Sequence, residues 1–318
     1  MIVVTGGAGF VGSNMVKFLN SKNHNDIIIV DSLKTRNLYK NLKGLKYIDF
    51  INYKNGIDFI KSALKKYSEI SLVIHIGANS DVLEKDCDVM IDLNFDHSKF
   101  WFNYCAENDI QFIYSSSSAI YGNSDSFIIN EDNDDPHNEY GISKLIFDKY
   151  VNFNIKNLKN RVIGFRFFNI FGMGEFHKEK NASLPFRFFN FILNDGLIEL
   201  FKDEILRDYV YVNDVCEIIY YAWNNKVESG IYNLGGNNPI SHKKLAQIVI
   251  DTMKENNIIN SSKNNYIKEI NIPADLKNHF QFYTHAEKMP QWISSLTKSN
   301  ELKIKKYILD LIHHYSIK

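Results

Sequence analysis

Cysteine is scarce in this chain: Cys87, Cys105 and Cys216 are the only three among 318 residues. Their odd number and wide spacing exclude a disulfide framework and a Cys-x-x-Cys metal clasp, so no metal is expected and a reducing cytoplasm is the expected compartment. An excess of charge of one sign is missing as well. Lysine plus arginine and aspartate plus glutamate both number 37, so no net field draws the chain to nucleic acid or an anionic membrane, and its partners are expected at local sites. No apolar run is long enough to cross a bilayer. The opening Met1-Ile-Val-Val-Thr is interrupted by Gly6 and Gly7 and has no basic leader, so it reads as a buried strand and not an export signal. Repeats and low-complexity tracts are absent, and few Pro/Gly/Ser linkers occur, which argues against independently folding modules.

What is present is a globular composition, 45% hydrophobic, enough for a full core and a sizeable substrate-binding region. Up to about residue 170, β-branched runs at 2–4, 27–30, 72–76, 112–114 and 162–165 alternate with amphipathic segments. That alternation predicts an α/β fold, a Rossmann-type doubly wound parallel sheet over 1–169. Later segments such as 207–236 are expected to return to it, and 170–318 to form mainly a smaller α/β lobe that binds substrate. In that half 184–193 is apolar-rich, while 198–201, 209–212 and 231–234 read as strands. The acidic stretch 130–135 is expected to be a solvated loop.

Thr5-Gly6-Gly7-Ala8-Gly9-Phe10-Val11-Gly12 follows a predicted strand and opens a helix whose apolar positions include Val11, Met15 and Leu19. Glycines in that context permit a tight turn and close approach of a pyrophosphate, which helix-end N–H groups then receive. Gly6, Gly9, Phe10, Val11 and Gly12 are therefore expected to bind a nicotinamide dinucleotide. Asp31 and Ser32, ending the next strand, are expected at its adenosine ribose. Asp31 favours NAD, whereas Lys34 and Arg36 just beyond suit the 2′-phosphate of NADP. NADP is the expected cofactor, with NAD the alternative.

A second constellation runs from Ser115-Ser116-Ser117-Ser118, at a strand end, to Tyr140-Gly-Ile-Ser-Lys144. Tyrosine and lysine four apart share a helix face, so the ammonium is expected to favour the phenolate and make Tyr140 a proton-transfer group.

With these motifs the chain resembles the extended short-chain dehydrogenases over nearly its whole length. The resemblance implies that Ser117 meets a substrate hydroxyl and that Ser117, Tyr140 and Lys144 are catalytic. It implies that Ile76, Gly77, Ala78 and Asn79, supported by Asn94, line the cofactor together with Lys144 and Ile170. Arg207, in Arg207-Asp-Tyr-Val-Tyr, resembles the family's arginine for a nucleotide pyrophosphate, the competing reading being a pair with Asp203 or Asp208. The family's 4,6-dehydratases carry an Asp-Glu pair where this chain has Ser118-Ala119-Ile120, so dehydration is not expected.

Asn169-Ile-Phe-Gly-Met-Gly-Glu-Phe-His-Lys178 is similar to the segment of ADP-glyceromanno-heptose 6-epimerases that carries a second catalytic lysine, as is the spacing from Tyr140. Two bases suit that chemistry, because the hydroxyl of the two epimers points in opposite directions while oxidation to a ketone is transient. The resemblance implies a substrate site of Ser80, Asn169, Ser183, Phe201, Arg207 and Phe280, a homo-oligomer, and a step toward lipopolysaccharide core precursors. Departures are Met173-Gly174 for Pro-Arg, Lys180 for a small serine, Arg187 for histidine, and Leu38 and Tyr53 for two lysines at the NADP phosphate. The alternatives are a UDP-hexose 4-epimerase, another nucleotide-sugar oxidoreductase, and a non-catalytic NAD(P)-binding regulator.

Overall fold

The structure is a computed structural model that describes residues 1–67, 69–82, 84–263, 265–273, 281–297 and 300–316. It divides into two compact units, residues 1–167 with 215–233, and residues 168–214 with 234–318.

The first unit is built on seven hydrogen-bonded strands in the order β11-β6-β5-β4-β1-β2-β3. These are β1 (Ile2–Thr5), β2 (Ile27–Asp31), β3 (Asp49–Asn52), β4 (Leu72–His75), β5 (Gln111–Ser117), β6 (Val162–Phe167) and β11 (Gly230–Leu234). Every pairing from β3 through β6 is parallel. β1, β4 and β5 are buried along their whole length, which is why Ile2–Val4, Leu72–Ile74 and Phe112–Tyr114 read as continuous runs where an open sheet face would alternate. The order reverses between β1 and β4, the switch point outside whose carboxyl ends ligands bind in open α/β sheets. The sequence pattern did not announce β3: Asp49-Phe-Ile-Asn52 buries only Ile51 fully, as an edge strand can.

Helices on this unit start where local chemistry favours them. α1 (Phe10–Ser21) opens at Gly9 with no side-chain cap. α5 (Glu139–Asn154) is capped by Asn138, which accepts from the Gly141 N–H at 2.8 Å. Between the helices Cys87–Met90 and His97–Glu107 lies a π-helical segment, Ile91–Asp96, that contains Asn94; such segments recur at functional sites.

In the second unit β7 (Asn169–Phe171) pairs in parallel with β10 (Tyr209–Tyr211), and β8 (Ile198–Phe201) with β13 (Ile267–Ile270). β9 (Leu206–Arg207) runs antiparallel to β12 (Ile240–Ser241). α6 (Leu184–Asp195) has proline in its first turn and Gly196 in the left-handed region at its end. α8 (His242–Glu255) and the C-terminal helix Asn300–Ser316 complete the unit.

One expectation is corrected here. The acidic stretch is not wholly solvated: the Asp134 side chain is 5% exposed and pairs with Arg166 at 2.7 Å. Arg166 lies in an otherwise apolar buried strand, and a guanidinium there requires an anion brought to it.

Candidate active site

The glycine turn is shaped by close approach. Gly6 has φ +65°, and a Cβ on it would lie 2.7 Å from the Gly77 nitrogen; a Cβ on Gly12 would lie 2.1 Å from the Gly6 carbonyl oxygen. At Gly9 the nearest atom is the Gly6 oxygen at 3.1 Å. The start of α1 has neither a side-chain cap nor an acidic residue in its first turn, so its positive end is available to an anion. Asp31 accepts from the Ala8 N–H at 2.8 Å and the Ser32 N–H at 2.6 Å, and burial pushes its carboxyl above the usual range. Asn41 donates to the Ala8 carbonyl at 3.0 Å, so the N–H and the carbonyl of Ala8 are tied to the end of β2 and to the chain beyond it.

A directed hydrogen-bond chain ties this turn to the segment after β4. The Gly77 N–H donates to Thr5 Oγ1 at 3.0 Å, and Thr5 Oγ1 lies 2.7 Å from His75 Nδ1. His75 Nε2 lies 2.9 Å from Ser98 Oγ, which donates to the Asn94 carbonyl at 2.6 Å. With the Ser98 proton committed, His75 donates from Nε2, and in its neutral form it accepts from Thr5 at Nδ1. Burial, then the nearby Lys144, push His75 well below its ordinary pKa. Asn94 reaches Asn79 on both sides, accepting from its N–H at 2.8 Å and donating to its carbonyl at 2.9 Å, and also donates to Ser143 Oγ at 2.9 Å. Ile76, Gly77, Ala78 and Asn79 are thus joined to the helix that carries Tyr140, with Ala78 and Ser80 exposed.

Ser117, Tyr140 and Lys144 come together as one group. The Ser117 hydroxyl hydrogen-bonds the half-buried Tyr140 phenol, and Lys144 Nζ donates to the Ser115 carbonyl at 2.9 Å. Burial raises the phenol, and the Ser117 bond partly offsets it. The expected lowering of Tyr140 by the Lys144 ammonium is not what this arrangement produces. Lys144 is itself desolvated, down to about 8, and spends its proton on a carbonyl.

Under this group sits a buried ionic network that sequence reasoning missed. Asp148 accepts from Tyr114 at 2.9 Å, Ser116 at 2.8 Å and Arg166 Nε at 3.0 Å. Arg166 also grips Asp134 and stacks over the Tyr121 ring at 4.8 Å. A charge inside the apolar run Val162–Phe167, and an aspartate one turn after Lys144, were the available signals.

In the second unit, Asn169 is exposed and Ile170 half-buried on β7, and Phe201 ends β8. Arg207 donates to the carbonyls of Leu206, at 3.0 Å, and Gln281, and burial lowers it to about 10. The Asp208 carboxylate accepts from the N–H groups of Gly236 and Ala286. Burial, followed by the charges of Arg207 and Arg187, drives His242 down to about 3, leaving a neutral imidazole near two guanidiniums. That cluster suits an oxyanion such as a diphosphate. Lys178 lies on the helical turn Phe176–Asn181, pushed below its ordinary value by burial against an opposing contribution from Glu175. Ser183 gives both its N–H and its hydroxyl to Glu175 at 2.6 Å. Phe280 lies outside the described residues.

Comparisons with known proteins bear on this arrangement. The model of the NAD dependent epimerase/dehydratase family matches residues 2–235. The chain is 37% identical over 305 residues to the ADP-L-glycero-D-manno-heptose-6-epimerase of Fusobacterium nucleatum, covering 90% of each chain. Among solved structures it is similar to the ADP-L-glycero-D-manno-heptose-6-epimerase of Helicobacter pylori (TM-score 0.79, 28% identity, 98% of this chain and 95% of that one). It also shares its fold with the UDP-N-acetylglucosamine 4-epimerase of Methanobrevibacter ruminantium M1 (TM-score 0.80, 22% identity, 98% of each chain). By its glycine turn, its Ser117/Tyr140/Lys144 group and these matches, the chain belongs to the NAD dependent epimerase/dehydratase family.

Proposed function

We propose that the protein is an ADP-glyceromanno-heptose 6-epimerase, interconverting the D-glycero and L-glycero forms of the ADP-activated sugar without net redox change. On this reading it supplies a lipopolysaccharide core precursor and works in the cytoplasm as a homo-oligomer, its second unit binding the nucleotide sugar. The observation that carries it is the second desolvated lysine, Lys178, on a loop of its own in a chain that also has the Tyr140/Lys144 pair. A 4-epimerase has no need of it.

The cofactor is a nicotinamide dinucleotide held at Gly6, Gly9, Phe10, Val11 and Gly12, along Ile76–Asn79 and at Lys144. The crowded glycines and the uncapped helix end fit its pyrophosphate. Bound there, it supplies reversible acceptance of a hydride from the carbon bearing the alcohol. Ser117 orients the substrate hydroxyl, and Tyr140 or Lys178 takes its proton as the ketone forms. After rotation about the exocyclic bond, the other of the two returns a proton to the oxygen, now on the opposite side. Arg207, with Arg187 and His242 near it, holds the diphosphate, while Ser80, Asn169, Ser183 and Phe201 complete the sugar site. We assign NADP, on the exposed cations Lys34 and Arg36 that follow Ser32; Asp31 lets NAD compete. Titrating both into cofactor-stripped protein should show NADP binding at least as tightly, and a clear NAD preference would reverse the assignment.

The deciding experiment incubates the protein with ADP-heptose and, separately, UDP-glucose, and reads the products by proton NMR. Only the heptose should be epimerised. Tyr140→Phe and Lys178→Met should each cost about a hundredfold to ten-thousandfold. A Lys178→Met protein working at the parent rate would leave the single-base 4-epimerase as the better reading.

A further inference from the structure

Glu175 has no part in the chemistry above, yet its side chain is among the most enclosed in the second unit, 1% exposed. Its Oε1 accepts from Ser183 Oγ at 2.6 Å and from the Tyr307 hydroxyl at 2.8 Å, and its Oε2 accepts from the Ser183 N–H at 2.6 Å. Three converging donors suit an ionised carboxylate, which only accepts. Burial pushes this carboxyl up, while Ser183, Tyr307 and the charge of Lys178 act against that rise.

These bonds join the two ends of the loop that carries Lys178. Within it the Lys178 N–H donates to the Glu175 carbonyl at 2.9 Å, and the Ala182 N–H to the Glu179 carbonyl at 3.1 Å. Glu179 sits at φ 48°, ψ −117°, a conformation that is unfavourable for a residue with a side chain and persists only where its surroundings over-determine it. Phe176 adds a second anchor, stacked on His314 with ring centroids 4.5 Å apart and edge-on to Phe186 at 5.4 Å. The loop is therefore tied to the C-terminal helix twice, through Tyr307 and through His314.

We propose that Glu175 is the positioning residue of this loop: by joining Ser183 to Tyr307, its carboxylate holds Lys178 at the place from which the lysine exchanges a proton with substrate. The inference rests on the reading of Lys178 as the second proton-transfer group. It predicts an electrostatic consequence as well as a geometric one. Lys178 faces Glu175, which favours its ammonium, and His177, which is pushed down by burial and by Lys178. Removing the Glu175 charge should therefore move the Lys178 titration to lower pH.

The test uses the full-length protein with Glu175→Gln, Glu175→Ala and Tyr307→Phe, and two readouts that need no turnover. Lys178 is titrated by NMR of carbon-13-labelled lysine, and trypsin reports exposure of the bonds after Lys178 and Lys180. Glu175→Gln should lower the Lys178 titration by about one pH unit. Tyr307→Phe keeps the charge and should leave that titration in place while speeding cleavage. Glu175→Ala should speed cleavage further and cut kcat about a hundredfold with little change in KM, as expected for a misplaced catalytic group. If Glu175→Ala does not fold, the other two variants carry the test. An unchanged titration in Glu175→Gln together with unchanged cleavage in Tyr307→Phe overturns the inference. Parent-rate turnover by Lys178→Met overturns the two-base reading and the catalytic part of this one, whereas titration and cleavage judge the positioning by Glu175 on their own.

Discussion

Two buried carboxylates, one in each unit, sit close in sequence to the two lysines of the candidate site, and they are assembled from the same parts. Asp148 lies one turn beyond Lys144 and accepts from the hydroxyls of Tyr114 and Ser116; Glu175 lies three residues before Lys178 and accepts from the hydroxyls of Tyr307 and Ser183. The third donor differs. For Asp148 it is the Arg166 guanidinium, whose side chain is 2% exposed; for Glu175 it is a backbone N–H. A guanidinium cancels most of the field that a carboxylate sends to its surroundings, whereas an N–H dipole cancels little of it. Burial lowers Lys144 to about 8, and Asp148, already paired with Arg166, opposes that fall only in part. The comparison teaches that a carboxylate near a lysine has the effect its other partner leaves over.

The largest test of that difference is Arg166→Met. It strands Asp148 and Asp134 without their cation, and the loss of stability should be about 3–5 kcal/mol, the range for breaking a buried ion pair from one side. Urea denaturation measures it, and a variant as stable as the parent would show that the network is not compensated by Arg166. A somewhat smaller effect sharpens the same point through pH. The folded-state value of Lys144 lies below its unfolded value of 10.5, so its contribution is present above 10.5 and is lost as pH falls through about 8. Measured against Lys144→Met, the parent should therefore gain stability between about pH 8 and 10.5, on the order of 2–3 kcal/mol. A constant difference across that window would mean that Asp148 reaches Lys144 at full strength.

Much of this site is legible in the residues themselves, because its parts are local. The glycine turn, the helix after it and Asp31 at the next strand end form one strand–turn–helix–strand unit, and Tyr140 and Lys144 share a helix face by spacing alone. The strands at 2–4, 27–30, 72–76, 112–114 and 162–165 lie within β1, β2, β4, β5 and β6 but for a residue at the ends. Arg166 was half legible. Its place in an apolar run demands a buried anion, but nothing along the chain says that Asp134, out of the acidic stretch 130–135, is the residue that turns inward. β9 and β10 were expected to return with the segment 207–236; they pair with β12 and β7, and residues 215–233 are those that return.

By itself, then, the sequence determined most of the sheet, the glycine cradle for a dinucleotide and Tyr140 with Lys144 as a proton-transfer pair. Each follows from periodicity, backbone freedom or a spacing of a few residues, which a one-dimensional pattern records. Only the tertiary structure decided the state of those groups. His75 is pushed to its neutral form by burial, Tyr140 is raised by burial and not lowered by Lys144, and Glu175, three residues before Lys178, is reached by Tyr307 from 132 residues away. Desolvation and hydrogen bonding depend on which distant side chains close around a group, and that is set by packing.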